Sequence, residues 1–133
     1  MSDDGLQAAA IVRAACDLPF ALAIVAGSGL GALAHAVGEA VTIPYAELPG
    51  FPVPSVSGHG GSPVAGRIEG VPVLLFSGRA HYYETGEAAA MRTPIGMVRA
   101  LGCPALLLTN AAGSLRAGCG PGELMLIEDH INL

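Results

Sequence analysis

Ala21-Leu22-Ala23-Ile24-Val25-Ala26-Gly27-Ser28-Gly29-Leu30-Gly31 is an uninterrupted apolar run that stops at a glycine-rich turn. A short run of this kind, with no polar face, reads as a strand buried on both sides. The glycines after it let the backbone turn sharply and come close to a ligand, and their N–H groups together with the Ser28 hydroxyl suit a phosphate. A tight strand-to-helix turn with no ligand would use the same residues, so the turn alone does not decide the function.

The flanks extend the pattern. Residues 6–16 are alanine-rich and free of Gly and Pro, which suits a helix, and Asp17-Leu18-Pro19 ends it. After the glycine turn a short helical stretch is expected through His35, a surface residue of that stretch. Residues 45–61, which follow Pro44 and carry Pro49, Pro52 and Pro54, cannot form a regular helix or central strand, and a long loop is expected there. Strands are expected at 64–69 and 71–76, turning at Gly70, and then a polar, aromatic segment at 77–87. Thr93-Pro94 opens a helix over 93–101, with Ile95, Val98 and Leu101 at helical spacing and Gly102 as its stop. Residues 105–109 read as a further buried strand and 124–127 as another. This order gives an α/β fold, a Rossmann-like mixed or largely parallel sheet with flanking helices.

Composition narrows the function classes. The 133 residues are 52% hydrophobic and 13% charged, enough apolar material for one core. A net charge of −5 leaves no basic face for nucleic acid or anionic membrane. Cys16, Cys103 and Cys119 have no metal-ligand spacing and read as buried, reduced thiols. No stretch is long enough for a membrane span, and Asp3 and Asp4 are the wrong charge for a signal peptide, so a cytoplasmic location is expected. The chain stops directly after an expected strand, with only two or three helices to cover an open sheet, and so a truncated fold is expected.

Three polar segments each follow an expected strand: 27–31, Ser77-Gly78-Arg79-Ala80-His81-Tyr82-Tyr83-Glu84, and Thr109-Asn110-Ala111-Ala112-Gly113-Ser114. Ligands of open α/β sheets sit beyond the carboxyl ends of the strands, so the three are expected to share one crevice. Arg79 and His81 alternate at the end of an apolar strand and are expected to point the same way, a guanidinium and an imidazole suited to one phosphate. His59, between Gly58 and Gly60, sits in a loop that could bring an imidazole to an anion or a hydroxyl. A dinucleotide site is the rival reading of the glycine turn, with Glu47 as its ribose acid. Against it, the third glycine comes one residue early and prolines flank Glu47.

Taken together these motifs resemble the trimeric-class purine-nucleoside phosphorylases of the nucleoside phosphorylase superfamily. The resemblance runs in order through 26–31, Leu48-Pro49-Gly50-Phe51-Pro52, Gly58-His59, 78–84, 109–113 and 125–132. It implies that residues 1–133 are the N-terminal part of a single nucleoside phosphorylase domain about half the family's length. It further implies phosphorolysis of purine nucleosides to free base and ribose 1-phosphate, with no metal or organic cofactor, in a homotrimer when full length. By the same resemblance Ser28, Arg79, His81 and the Ala111 N–H hold phosphate, and His59 approaches it. His59 and His81 are then the catalytic candidates, Tyr83 and Asn110 meet the nucleoside, and Glu84 orients neighbouring groups from behind. The base-reading groups belong to the half not present.

Some positions depart from the family pattern. Ser62-Pro63 interrupts the stretch after Gly61, Thr85 stands where glycine is usual, and Ser114-Leu115-Arg116 replaces Gly-Leu-Asn. The last variation is similar to methylthioadenosine phosphorylases. That relationship, and a non-catalytic remnant that keeps only the anion site, are the alternatives.

Overall fold

Strand β1 (Leu22–Val25) lies between two parallel neighbours, β4 (Val71–Phe76) and β5 (Leu106–Leu108). Two antiparallel strands, β2 (Gly38–Thr42) and β3 (Val64–Ile68), complete a five-stranded mixed sheet of order β2-β3-β4-β1-β5. The computed structural model describes residues 3–52, 62–80 and 86–131. Among the described residues, no helix is long and apolar enough to cross a membrane.

Strand alternation divides the sheet's two faces. Ala23, Val25, Leu74, Phe76 and Ala65 point to a core covered by helix α1 (Asp3–Ala15) and helix α2 (Arg92–Ala100). Ile24, Ala26, Val73, Leu75 and Val64 point to the other face, where Leu33 and Ala34 of a 3-10 turn at Gly31–Ala36 meet them together with Val37, the residue after it. α1 buries Gly5, Ala8, Ala9 and Val12, one stripe at helical spacing. Its small residues let α2 come close: a Cβ at Gly5 would lie 3.2 Å from the Gly96 carbonyl carbon. Arg13 of α1 then donates from Nη2 to the Ala100 carbonyl at 2.9 Å, satisfying one of the carbonyls left open at the end of α2.

The hairpin β3–β4 turns on Glu69-Gly70, both with positive φ (48° and 81°), the conformation that fits the strand twist in a two-residue turn. The expected strand at 71–76 is present with those bounds, and the expected elements at 6–16, 64–69 and 93–101 are present with no end shifted by more than three residues. The buried stripe of α2 is Pro94, Met97 and Val98, with Leu101 packed against the same core, and Ile95 lies beside it only partly buried.

Two expectations need correction, and one strand lies outside the expected set. The 105–109 segment is a strand, but as the last strand of the sheet β5 leaves Leu106, Leu107 and Leu108 exposed. No strand forms at 124–127, where Leu124 is 98% and Leu126 88% exposed, because this apolar run meets no neighbour whose open backbone groups it could pair with. The strand outside the expected set is β2, which exists through its antiparallel pairing with β3 at Val41↔Ala65 and Thr42↔Val64. That approach is close: a Cβ at Gly66 would fall 2.5 Å from the Gly38 carbonyl oxygen.

Candidate active site: an anion crevice at the strand ends

Because β4, β1 and β5 are adjacent and parallel, their carboxyl ends open on one edge of the sheet. The turn after β1 is closed by the Leu30 N–H donating to the Gly27 carbonyl at 3.2 Å, with Gly29 at φ 87°, a value that favours glycine. Ser28 stands exposed on this turn. Gly27 itself is buried against the end of β5, where a Cβ would lie 2.7 Å from the Thr109 carbonyl oxygen and 3.0 Å from the Asn110 Cα. The first glycine is required by the backbone of the neighbouring strand.

Thr109 joins the three segments. Its N–H and its hydroxyl both donate to the Val25 carbonyl at 3.1 Å, and its Oγ1 accepts the Gly27 N–H at 2.8 Å. Its own carbonyl accepts from Arg79 Nη1 at 2.8 Å. A side chain from the segment after β4 is thereby held at the end of β5, two strands away. β4 ends at Phe76, so Arg79 lies in an irregular segment and strand alternation does not set its direction. Its direction comes from the bond to Thr109.

Arg79 is half-buried and borders a small recess with Phe76, Tyr45 and Met91. Tyr45 enters from the 3-10 turn Tyr45–Glu47 and packs on Phe51, ring centroids 5.8 Å apart, while Phe51 stacks on Phe76 at 6.4 Å. Burial pushes the Tyr45 phenol up to about 12. The apolar stack places low-dielectric material beside the guanidinium, where its interaction with an anion is screened less than in open water.

Of the expected site residues, Ser28, Arg79, Asn110 and Ala111 lie at the ends of these adjacent strands. Asn110 and Ala111 are exposed, and Asn110 Nδ2 donates to the Ala111 carbonyl at 3.3 Å. His59, His81, Tyr83 and Glu84 lie outside the described residues. Elsewhere, His35 is exposed as expected, and the three cysteines are free and partly buried, with burial raising the Cys16 thiol. Among the described residues, no group of three or more His, Cys, Asp or Glu side chains is placed to hold a metal ion. Sequence reasoning missed Thr109 and Tyr45, because neither a threonine at a strand end nor a tyrosine among prolines announces its tertiary partner.

The site defines an α/β protein that presents a glycine turn, an arginine and an exposed backbone segment at the ends of three parallel strands, an arrangement suited to a small anion. Residues 21–133 match the family model described as "Phosphorylase superfamily", and the chain belongs to that family. It is 44% identical over 111 residues to purine nucleoside phosphorylase 1 of Geobacillus stearothermophilus, covering 84% of this chain and 40% of that protein. With purine nucleoside phosphorylase 1 of Bacillus subtilis it shares 39% identity over 132 residues, 99% of this chain and 49% of the relative. Isoform 2 of the Schistosoma mansoni purine nucleoside phosphorylase, solved with cytosine and ribose-1-phosphate, superposes with a TM-score of 0.80 at 33% identity, over 91% of this chain and 42% of that one. The chain thus spans less than half the length of these relatives.

Proposed function

We propose that this chain supplies the phosphate-binding half of a purine-nucleoside phosphorylase, which transfers the pentosyl group of a purine nucleoside to inorganic phosphate. The observation that carries the reading is the junction of Gly27, Thr109 and Arg79, which gathers Ser28, the guanidinium and the Asn110-Ala111 backbone at one edge of the sheet. Relatives solved with ribose-1-phosphate and with inosine support the substrate class.

In this reading phosphate is held by Ser28, Arg79, His81 and the Ala111 N–H, His59 approaches it, and Tyr83 and Asn110 meet the ribose. Breaking the ribosidic bond builds positive charge on the sugar, as in glycoside hydrolysis. A phosphate fixed beneath the anomeric carbon stabilises that charge and is placed to attack as the bond to the base breaks. His59 and His81 hold its protons and orientation, Glu84 steadies their surroundings, and neither a metal nor an organic cofactor takes part. The base-reading groups come from the remainder of a longer polypeptide, a homotrimer of the cytoplasm in this proposal.

A chimera tests the reading. Residues 21–131 replace the matching segment of the Geobacillus stearothermophilus relative, and release of base from inosine is followed with and without phosphate. Phosphate-dependent release that Arg79→Ala abolishes is expected. Equal release in phosphate-free buffer would indicate hydrolysis and refute the proposal.

A further inference from the structure

Thr109 holds two parts of the crevice through different atoms. A hydroxyl has one hydrogen to donate and lone pairs to accept with. Here the hydrogen goes to the Val25 carbonyl at 3.1 Å and a lone pair takes the Gly27 N–H at 2.8 Å, so both ends of the bond network fix the side chain's rotamer. Gly27 is buried, and without that oxygen its N–H would have no partner among the described residues. The peptide plane carrying that N–H is rigid and leads directly into Ser28. Independently, the Thr109 carbonyl accepts from Arg79 Nη1 at 2.8 Å, committing one of the guanidinium's donors, and among the described residues no side-chain hydrogen bond takes the others.

We propose that Thr109 is a positioning residue for the phosphate site: its hydroxyl sets the Gly27-Ser28 turn and its carbonyl sets Arg79, so that one residue fixes the spacing between the two halves of the anion cradle. The proposal rests on the phosphate reading of the crevice. Thr109 touches no phosphate oxygen in this scheme, and its effect passes through Ser28 and Arg79. The backbone bond to Arg79 survives any side-chain change, so loss of the hydroxyl should disturb the glycine turn and leave the guanidinium tethered.

The test is calorimetric titration of the 133-residue chain with inorganic phosphate. Wild type, Thr109→Val, Thr109→Ser, Thr109→Ala and Arg79→Ala are compared, each checked for folding by circular dichroism, with amide hydrogen exchange followed at Gly27. Valine keeps the branched shape and loses the hydroxyl, alanine loses the hydroxyl without adding a methyl, and serine keeps it. The expected result is phosphate affinity weakened about tenfold or more in the folded valine or alanine variant, with faster exchange at Gly27, and affinity within about threefold of wild type in the serine variant. A purely structural role would lower stability and leave the phosphate affinity of the folded protein unchanged. That outcome in either hydroxyl-free variant overturns the proposal and leaves the phosphate reading standing. Wild type that binds no phosphate, or binds it no better than Arg79→Ala, overturns the phosphate reading and this proposal together.

Discussion

Arg79 and Thr109 are joined across the sheet: Nη1 of the arginine donates to the threonine carbonyl at 2.8 Å, although β1 lies between the strands that lead to them. The bond spans 30 residues of sequence and holds the one described cation of the crevice over the end of β5. An arginine on an irregular segment would otherwise sample many rotamers, and ordering it in advance lowers what an anion must supply on binding.

Arg79→Ala removes both the charge and the tether. Hydrogen bonds to charged groups contribute about 1.5–3 kcal/mol each, so phosphate affinity should fall about 10- to 100-fold. Arg79→Lys keeps the charge but not the fork, and should recover only part of the loss. Calorimetric affinities of the three proteins check the ranking.

Gly27→Ala should be harmful for a reason unrelated to glycine's flexibility. The added Cβ would meet the Thr109 carbonyl oxygen at 2.7 Å, and backbone on both sides must separate to admit it. Overpacking of this kind costs about 1–3 kcal/mol. The expected outcome is a lower urea midpoint together with weaker phosphate binding, since the displaced carbonyl is the one that holds Arg79. An alanine variant with wild-type stability and affinity would show that the two strand ends are not in fixed contact.

Arg13 ties α1 to the last turn of α2 through the Ala100 carbonyl at 2.9 Å. The bond is exposed, and a cation at a helix C-terminus also meets the negative end of the helix dipole. Arg13→Ala should therefore destabilise modestly, by about 0.5–1.5 kcal/mol, with no change in phosphate affinity because the crevice lies at the strand ends. Chemical denaturation beside calorimetry separates the two quantities.

Tyr45 gives stability an alkaline limb. Burial raises its phenol from 10.0 to about 12, so the folded state holds the proton more tightly than the unfolded state. The contribution is fully present below pH 10 and is lost as pH rises towards 12. For a group this incompletely buried the loss by pH 11 should be about 1 kcal/mol. Tyr45→Phe removes the titrating hydroxyl, so between pH 8 and pH 11 its urea midpoint should fall less than that of wild type. Parallel falls would show that another group carries the alkaline limb.

The local elements were legible in the residues themselves. The alternation from apolar run to glycine turn defined β1 and the turn that presents Ser28, and Gly70 marked the hairpin. The unbroken alanine-rich segment defined α1, and Thr93-Pro94 with Gly102 bracketed α2. These are nearest-neighbour matters of dihedral preference and periodicity, written within about ten residues of chain. The motif order likewise pointed to the family. What only the tertiary structure decided is everything that depends on pairing between distant segments. β2 became a strand because β3 offered it open backbone groups, while the more apolar run at 124–127 found none and stayed exposed. Arg79 took its direction from a carbonyl 30 residues away, and Gly27 was required by Thr109, 82 residues on. A hydrogen bond between strands depends on which backbones the fold brings side by side, and no local pattern in either segment encodes that choice.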